Sequence, residues 1–538
     1  MNGFPWLTVA GALPLLGAIV VALLPSMPRD SAPADVAARD KLAKIVALGF
    51  SVVTLIWVIV MATQFNTSGP TYQLTEQYSW IPQFGVHYAL GIDGIALVLV
   101  GMTAVLMPVV ILASWHDVER AATRRSVKSY FALMLLLEVM MIGVFEATDV
   151  FLFYVFFEAM LIPMYFMIGS FGEGPRQYAA VKFLLYSLLG GLLMLVAVIA
   201  LYVYSANSPA TGHHGTFLFS QLLHVALSPT VQKWLFLGFF IAFAIKAPLW
   251  PFHTWLPDAA ASAQPGAAVL MLGVMDKVGT FGMIRYCLEL FPAAVSYFKV
   301  LILTLAVISI LYGAVVAIGQ KSMKRLIGYT SISHFGFIVL GIFALTSQGQ
   351  SGATLYMVNH GFSTGALFIL AGFLIVRRGS DRIEDYGGVQ KVAPVLAGLF
   401  LISGLAGLAL PGLSTFVSEF LVLVGTFSRY KVAGSFAVVG IILAAIYILW
   451  MVQRVMHGPV SDAVASFKDL RPRELLAVVP LIALIFAMGI YPKPVLDVIN
   501  PAVNATMSQV HVKDPVPAHP APSASYLTTS SVEKGIQP

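Results

Sequence analysis

Apolar residues in this chain are grouped into segments of about 20 residues, the length that an α-helix needs to cross a lipid bilayer. Fourteen such segments are predicted, and polar loops connect them. Their approximate limits are 4–24, 45–63, 91–114, 130–148, 150–170, 182–205, 233–252, 266–291, 299–319, 326–345, 353–376, 395–427, 432–456 and 475–496. The pattern predicts an all-α polytopic membrane protein with about 14 transmembrane helices.

Lys and Arg residues are concentrated in every second loop. Loops from an odd-numbered to an even-numbered segment are basic, whereas the stretches 64–93 and 205–232 contain no Lys or Arg. Because basic loops remain in the cytoplasm, this alternation predicts that both termini are outside. The connection 253–264, between the seventh and eighth segments, departs from the pattern because it has no basic residue.

Two apolar segments contain a proline-centred interruption. The seventh contains Lys246–Pro251, with prolines at its third and last positions, and the twelfth contains Leu410-Pro411-Gly412. Proline removes a backbone donor and clashes with the preceding turn, so each helix is expected to break. Broken helices at matching positions of two halves indicate a transport site. The spacing therefore predicts two five-helix units, formed by segments four to eight and nine to thirteen.

The predicted organisation has five parts. They are helices 1–3 in residues 1–129, the first five-helix repeat in 130–291, the second in 299–456, the last helix in 457–500 and a flexible external tail in 501–538. The tail is predicted because residues 511–538 are rich in Pro, Ala, Ser and Thr and have few apolar side chains. Such a segment buries too little surface to fold alone.

Composition narrows the possible functions. The chain has 538 residues, of which 59% are hydrophobic and 10% charged, whereas a soluble domain has about 25% charged residues. The net charge of +6 does not indicate nucleic-acid binding, because the basic residues lie in loops whose orientation explains them. Cys287 is the only cysteine, so no iron–sulfur cluster or zinc site is expected here. Any redox chemistry is expected on another chain.

Seven ionisable residues lie inside the predicted membrane segments. They are Glu138, Glu158, Lys246, Lys277, His334, His360 and Glu419. A charge at the bilayer centre costs from about 3 to more than 10 kcal/mol, so such residues usually face the protein interior or a wet path and have a function there. Together they predict a route for protons.

Glu158 and Lys246 are the first candidates for a working pair. If they approach each other, each stabilises the charged form of the other, and their separation would release the Lys246 proton. The alternative is a static buried ion pair that fixes helix packing. Lys277 is expected to be the next station, whereas the role of the adjacent Asp276 stays open, because i,i+1 residues do not face each other on a helix.

Residues outside the central segments give weaker signals. His253 and Asp258, at the end of the seventh segment, are candidates for a cytoplasmic entrance, and helix capping by Asp258 is an equal alternative. Asp93 is expected to begin a helix. Arg285 and Glu289 are spaced i,i+4 and are expected to pair near the outer interface.

Four strings carry a family resemblance. They are Phe-Glu-Ala-Met-Leu-Ile-Pro-Met-Tyr at 157–165, Lys-Ala-Pro at 246–248, His-Thr-Trp-Leu-Pro-Asp-Ala at 253–259 and Lys-Arg-Leu-Ile at 324–327. With these strings the chain resembles the antiporter-like membrane subunits of NADH–quinone oxidoreductase, respiratory complex I. The resemblance covers roughly residues 90–490. The third string, at a broken seventh helix, is highly specific to that superfamily.

The twelfth segment distinguishes the branches of this family. Two of its three large subunits usually carry a lysine there, and the branch called subunit M carries a glutamate, to which Glu419 is similar. The resemblance implies two inverted five-helix repeats with broken seventh and twelfth helices. It also implies a channel through Glu158, Lys246, Lys277, the central histidines and Glu419.

The resemblance further implies a non-redox, proton-translocating subunit in the cytoplasmic (inner) membrane of a bacterium. NADH, FMN, iron–sulfur clusters and quinone would be on partner subunits, with no cofactor or metal on this chain. Membrane subunits of the L and N types are the expected neighbours in the bilayer, and no nucleic acid is expected. The alternatives are a subunit of a multisubunit sodium/proton antiporter or membrane-bound hydrogenase, and a membrane scaffold whose buried polar groups only pack.

Overall fold

A computed structural model of the chain describes residues 3–25, 33–120 and 126–516. Helices occupy most of these residues. The α-helices are α1 (Trp6–Leu23), α2 (Pro33–Ala62), α3 (Gly94–Ala113), α4 (Asp117–Arg120), α5 (Val127–Glu146), α6 (Val150–Ala159), α7 (Leu161–Phe171), α8 (Arg176–Ala206), α9 (Phe219–Leu222), α10 (Pro229–Lys246), α11 (Trp255–Ser262), α12 (Pro265–Leu270), α13 (Lys277–Gly282), α14 (Pro292–Ile318), α15 (Met323–Phe343), α16 (Ser347–Arg378), α17 (Val389–Val392), α18 (Pro394–Gly407), α19 (Ser414–Arg429), α20 (Lys431–Met456), α21 (Pro472–Ile490) and α22 (Lys493–Gln509).

Twelve helical stretches of the described residues are long and apolar enough to cross a membrane. They correspond to twelve of the fourteen predicted segments. The other two predicted segments are the seventh and the twelfth, which contain the breaks. α10 ends at Lys246, and the twelfth segment is divided into α18 and α19 by the residues around Pro411. The interruptions predicted from proline are therefore present in the backbone, and the predicted all-α membrane fold is confirmed.

Two further membrane segments are irregular in ways that the hydropathy pattern did not predict. The fifth is divided at Met160 into α6 and α7. Pro163 has no N–H to donate to the carbonyl of Ala159, which weakens the helix at this point. In the eighth segment, π-helical turns occupy Met271–Met275 and Met283–Leu288 on either side of α13. Such turns change the direction in which later side chains project and are frequent at functional sites.

One face of the bundle collects the basic loops. Asp258 forms ion pairs with Lys182, at the beginning of α8, and with Arg325, at the beginning of α15. On the same face of the bundle, Arg377 near the end of α16 pairs with Glu474 at the beginning of α21. The connection 253–264 has no basic residue of its own, but the Asp258 carboxylate binds basic residues of two other helices, α8 and α15.

The opposite face carries a β-hairpin and the last helix. β1 (Gln73–Ile81) pairs antiparallel with β2 (Val86–Ile92). Glu76 of β1 accepts hydrogen bonds from the backbone amides of Leu7 (2.7 Å) and Thr8 (3.2 Å), so it satisfies the first turn of α1. The hydropathy pattern predicted no strands in this loop. Both ends of the described chain lie on this face.

The predicted boundary between the last helix and the tail requires a correction. Residues 501–509 belong to α22 and not to a flexible tail. The reason is an amphipathic face, in which Ile499, Ala502 and Val503 are buried against the bundle. Gly94 permits this docking, because a Cβ there would clash with the backbone carbonyl of Val498. Residues 517–538 lie outside the described residues.

Candidate functional site

Glu158 and Lys246 meet near the break of the seventh span. Lys246 is fully buried, and the two side chains interact electrostatically. The Lys246 Nζ lies 5.1 Å from the centre of the Phe157 ring and 5.7 Å from that of Phe183. Neither Nζ nor Glu158 Oε1 has a hydrogen-bond partner among the described residues. The Lys246 ammonium therefore lies against two aromatic rings and is not bonded to Glu158.

Two adjacent glycines of α8 allow this approach. A Cβ at Gly190 would lie 3.0 Å from the Cα of Ala242, so the glycine lets α8 and α10 pack closely. A Cβ at Gly191 would occupy the position of the Glu158 carboxylate. Gly190 therefore lets α10 approach α8, and Gly191 leaves room for the Glu158 carboxylate on the adjacent side of the same turn of α8.

Lys277 is positioned by the first π-helical turn. The amide of Asp276 donates to the carbonyl of Met271, five residues earlier, at 3.0 Å. In an α-helix it would donate to Leu272. The Leu272 carbonyl instead accepts a hydrogen bond from Lys277 Nζ. The π-helical turn thus supplies a backbone acceptor for a buried ammonium group.

The two predicted histidines, His360 and His334, are the next residues in contact with Lys277 and with each other. Lys277 Nζ lies 2.7 Å from Nδ1 of His360, so an ammonium would donate to that nitrogen. The ring of His360 is 5.1 Å from the ring of His334, centre to centre. His334 in turn donates from Nε2 to the carbonyl of Gly407 at 3.1 Å. Gly407 is the last residue of α18, so these contacts lead to the break of the twelfth span.

Glu419 lies beyond that break. It is buried in α19, and Oε2 accepts a hydrogen bond of 3.3 Å from the hydroxyl of Tyr356. The Tyr356 ring is 5.9 Å from the ring of His334. Asn359, on the same helix as Tyr356, donates to the carbonyl of Ser414 at 2.6 Å and so holds the first turn of α19. Hydrogen bonds and ring contacts therefore connect Lys277 to Glu419.

Glu138 is the predicted relay residue that the structure does not bring into this series. It is fully buried in α5. Both carboxylate oxygens lack a hydrogen-bond partner among the described residues. Glu138 is as buried as predicted, but no hydrogen bond within the described part of the chain joins it to Glu158 or Lys246.

The entrance candidates lie at the face of the basic loops. Lys182 Nζ is 2.8 Å from Asp258 Oδ2, and Arg325 is 2.8 Å from Oδ1. Burial alone would raise the pKa of Asp258, but hydrogen bonds from Lys182 and Arg325 outweigh it and lower the pKa. Asp258 lies inside α11, which Thr254 precedes, so the alternative that it caps a helix is wrong. His253 is buried near this group, 4.9 Å from the ring of Tyr312.

The expected Arg285–Glu289 pair is replaced by other partners. Arg285 forms an ion pair of 2.9 Å with Asp93, while Glu289 accepts a hydrogen bond of 2.8 Å from Thr506. The reason is that Arg285 lies in the second π-helical turn, where the i,i+4 spacing of an α-helix does not apply. Asp93 begins α3 as predicted, since its Oδ1 accepts from the amide of Ala96 at 2.8 Å.

Comparison with known proteins identifies the family. The family described as NADH:quinone oxidoreductase/Mrp antiporter matches residues 147–444, and NADH-ubiquinone oxidoreductase chain 4, amino terminus, matches 42–144. NADH-quinone oxidoreductase subunit M of Mycobacterium tuberculosis is 53% identical over 563 aligned residues, which cover 98% of this chain and 99% of the relative. The chain belongs to the subunit M family of NADH-quinone oxidoreductase.

Solved structures share the fold of this chain. A chain of respiratory complex I from Thermus thermophilus with bound NADH has a TM-score of 0.83 and 31% identity, covering 94% of this chain and 99% of that one. The Mrp complex from Dietzia sp. DQ12-45-1b gives a TM-score of 0.79 over 94% of this chain and 99% of that one. At 20% identity, the Mrp match shows a shared fold alone.

Two contacting residues of this subunit M chain were missed by the sequence reasoning. Tyr356 bridges His334 and Glu419, and Asn359 ties α16 to the beginning of α19. Both residues are fully buried. The only available signal was a polar side chain within an apolar span, close in sequence to His360.

Proposed function

We propose that the chain is the proton-translocating membrane subunit of a bacterial NADH–quinone oxidoreductase, and that its buried ionisable residues form the proton relay. The observation that carries this proposal is the series of contacts from Lys277 through His360, His334 and Tyr356 to Glu419. Each member of the series has a group that can bind or orient a proton, and all are buried inside the bundle.

Coupling begins with the charge pair of Glu158 and Lys246. Glu158 and Lys246 share no hydrogen bond in the structure, and the strength of their attraction depends on how closely α6 and α10 approach. Two unit charges attract by about 4 kcal/mol at about 4 Å and an effective dielectric constant of 20, and by about half of that at twice the separation. A change of about 2 kcal/mol alters proton occupancy about thirtyfold. A movement of α6 relative to α10 would therefore release the proton of Lys246 toward the centre of the chain. The break between α6 and α7 at Met160, two residues after Glu158, would permit such a movement.

The middle of the relay suits proton exchange in both directions. An ammonium group at Lys277 donates to Nδ1 of His360, and a proton transferred along this hydrogen bond leaves a neutral amine. Imidazole binds and releases protons near neutral pH through two separate nitrogens, which suits a carrier. His334 is the next imidazole, and its Nδ1 has no partner among the described residues.

Glu419 is proposed as the terminal carrier of this chain. The Tyr356 hydroxyl donates to the carboxylate and can hold it toward the histidines. On the other face of the bundle, His253 and Asp258 are proposed to form the entrance, where Lys182 and Arg325 keep the carboxylate ionised. Glu138 remains a proposed member without a contact to the others.

The cellular setting follows from the family and from the loops. We place the chain in the cytoplasmic membrane as a multi-pass protein, with the basic loops inside and both termini outside. Membrane subunits of the L and N types are the proposed neighbours. The chain itself is a non-redox translocase, and NADH, FMN, the iron–sulfur clusters and the quinone belong to partner subunits.

The proposal is tested with Lys246→Ala in the complete complex, reconstituted in lipid vesicles. Quinone reduction and proton uptake are measured together after addition of NADH. General acid–base steps depend on their carrier by about 10²–10⁴-fold, so we expect proton transfer through this chain to be nearly abolished. Lys391→Ala is the control, because Lys391 is exposed in the short helix α17.

Normal quinone reduction with undiminished proton uptake by the Lys246→Ala complex would refute the proposal. The antiporter alternative makes a different prediction in the same vesicles. It requires that sodium ions dissipate an imposed pH gradient without NADH. A sodium-dependent dissipation that Lys246→Ala abolishes would favour that alternative.

A further inference from the structure

Asp276 is a buried carboxylate that the relay described above does not use. It is completely inaccessible, and neither Oδ1 nor Oδ2 has a hydrogen-bond partner among the described residues. A buried ionisable group without partners is costly, which argues that it has a role beyond packing. Its position between two π-helical turns of the eighth span also marks an irregular part of the helix.

The surroundings of Asp276 connect it to the end of α10. Gly279 lies three residues later, and residues three apart share a helix face. A Cβ at Gly279 would lie 2.6 Å from the carbonyl oxygen of Phe243 and 2.7 Å from the amide of Ala247, the residue after Lys246. The side of the eighth span that carries Asp276 and Gly279 is therefore packed against the break of the seventh span.

Lys277 faces a different neighbour. Consecutive residues of a helix diverge by about 100° around its axis. The Lys277 ammonium is drawn to the carbonyl of Leu272 and to His360 of α16. Asp276 interacts electrostatically with Lys246 and with Lys277. Asp276 thus lies in the part of the eighth span that packs against the α10 break, directly before the lysine that begins the central series.

We propose that Asp276 is an additional proton carrier of the relay, located between Lys246 and Lys277. The Lys246 ammonium gives a proton to the Asp276 carboxylate, which leaves a neutral amine and a neutral carboxylic acid. Asp276 then gives that proton to the neutral amine of Lys277 and returns to its carboxylate form. The proposal rests on the proposed function, because it assigns a further step to the same relay.

Electrostatics explain why a carboxylate suits this position. Direct transfer would require the Lys246 ammonium to touch the neutral amine of Lys277, whereas Lys277 Nζ contacts the carbonyl of Leu272 and the ring of His360. With a carboxylate between the two lysines, the transferred proton neutralises two opposite charges and creates none. Because each unpaired buried ion costs several kcal/mol, an intermediate in which Lys246 and Asp276 are both neutral is favourable in this interior.

The test uses Asp276→Asn and Asp276→Glu in the intact complex in vesicles. We expect Asp276→Asn to slow proton transfer through this chain by about 100-fold, because the amide cannot accept the proton. Asp276→Glu keeps the acid and is expected to retain most of the NADH-driven proton uptake. Asp462→Asn, an exposed aspartate in the loop before α21, is the control. Immunoblots of the assembled complex show whether each variant is incorporated.

A second measurement separates a carrier from a fixed counter-ion. Infrared difference spectra recorded on NADH addition report carboxylic acids that become protonated, through their C=O stretching band. We expect a band that Asp276→Asn removes and Asp276→Glu shifts. If Asp276→Asn fails to assemble, the comparison of the wild type with Asp276→Glu still decides the matter.

The outcomes distinguish this inference from the proposed function. Normal proton uptake by Asp276→Asn, together with loss of uptake in Lys277→Ala, would overturn the role of Asp276 alone. Normal uptake in both variants would overturn the proposed function as well. A third outcome combines loss of proton uptake in Asp276→Asn with infrared spectra of the wild type that contain no band sensitive to residue 276. It would make Asp276 a static counter-ion and refute the inference.

Discussion

His334 Nε2 donates a hydrogen bond of 3.1 Å to the carbonyl oxygen of Gly407, at the point where the twelfth span breaks. The end of α18 leaves backbone carbonyls without helical partners, and the imidazole satisfies one of them. This bond also fixes the tautomer, because Nε2 carries the hydrogen and Nδ1 is left as the basic nitrogen. One residue therefore serves both the broken helix and the proposed relay.

His334→Gln separates these two roles. The glutamine amide retains an N–H donor for the Gly407 carbonyl, but it cannot carry a proton. We expect the complex to assemble normally, with proton transfer through this chain at least about 100-fold slower. Proton uptake and quinone reduction in vesicles check the result. His457→Gln is the control, because His457 is exposed at the end of α20; wild-type uptake in both variants would remove His334 from the relay.

Gly191→Ala is expected to displace the Glu158 carboxylate, because the new Cβ would occupy its position. Overpacking of this kind costs about 1–3 kcal/mol, and the displaced carboxylate loses its placement near Lys246. We expect slower proton uptake by the assembled complex. The matched control is Gly101→Ala in α3, where an added Cβ meets no atom within 4 Å.

A double variant makes the Gly191 prediction specific. Glu158→Asp shortens the side chain by one methylene and relieves the clash with Ala at position 191. We expect Glu158→Asp to cost less proton uptake in the Gly191→Ala background than in the wild type, which a double-mutant cycle measures. Strict additivity of the two changes would show that residue 191 does not act through Glu158.

The membrane spans and their breaks were predictable because they depend on local sequence. Hydropathy specifies a span of about 20 residues, and Pro248, Pro251 and Pro411 specify where two of them break. The division at Met160, the π-helical turns and the β-hairpin were missed, because they are set by packing and by pairing between distant residues. The helical part of the predicted tail was missed for the same reason, since α22 folds against the bundle.

The site could be predicted only as a set of buried residues, not as an order of contacts. Depth in an apolar segment singled out Lys277 and His360, but their hydrogen bond joins residues 83 positions apart. Tyr356 was identified from its contacts with His334 and Glu419 in the structure, because its local sequence is not unusual. Glu138 shows that burial alone does not predict contacts. Its burial was predicted correctly, but its carboxylate forms no hydrogen bond with the other candidate residues.

Asp258 gives a prediction about pH. Hydrogen bonds from Lys182 and Arg325 outweigh burial and lower its folded pKa, so the stabilisation that it provides is complete above its unfolded pKa of about 3.9 and is lost only as pH falls through the lower folded value. The difference in thermal stability between the wild type and Asp258→Asn should therefore be constant between about pH 5.5 and pH 8. A difference that shrinks toward the acidic end would contradict this, and Asp462→Asn should show no difference.

The ion pair between Arg285 and Asp93 is predicted to stabilise the face of the bundle that carries the β-hairpin. The two side chains are only 7% and 2% exposed, so Asp93→Asn would leave a buried guanidinium without its counter-charge, which typically costs about 3–5 kcal/mol. Asparagine is an equally good helix N-cap, so the contact to Ala96 is retained and only the charge is lost. Thermal inactivation of the purified complex should occur at a clearly lower temperature. The control is Asp497→Asn, because its pair with Lys493 is 51% and 65% exposed and such surface pairs contribute little; equal effects of the two changes would show that burial of the Asp93 pair does not decide its contribution.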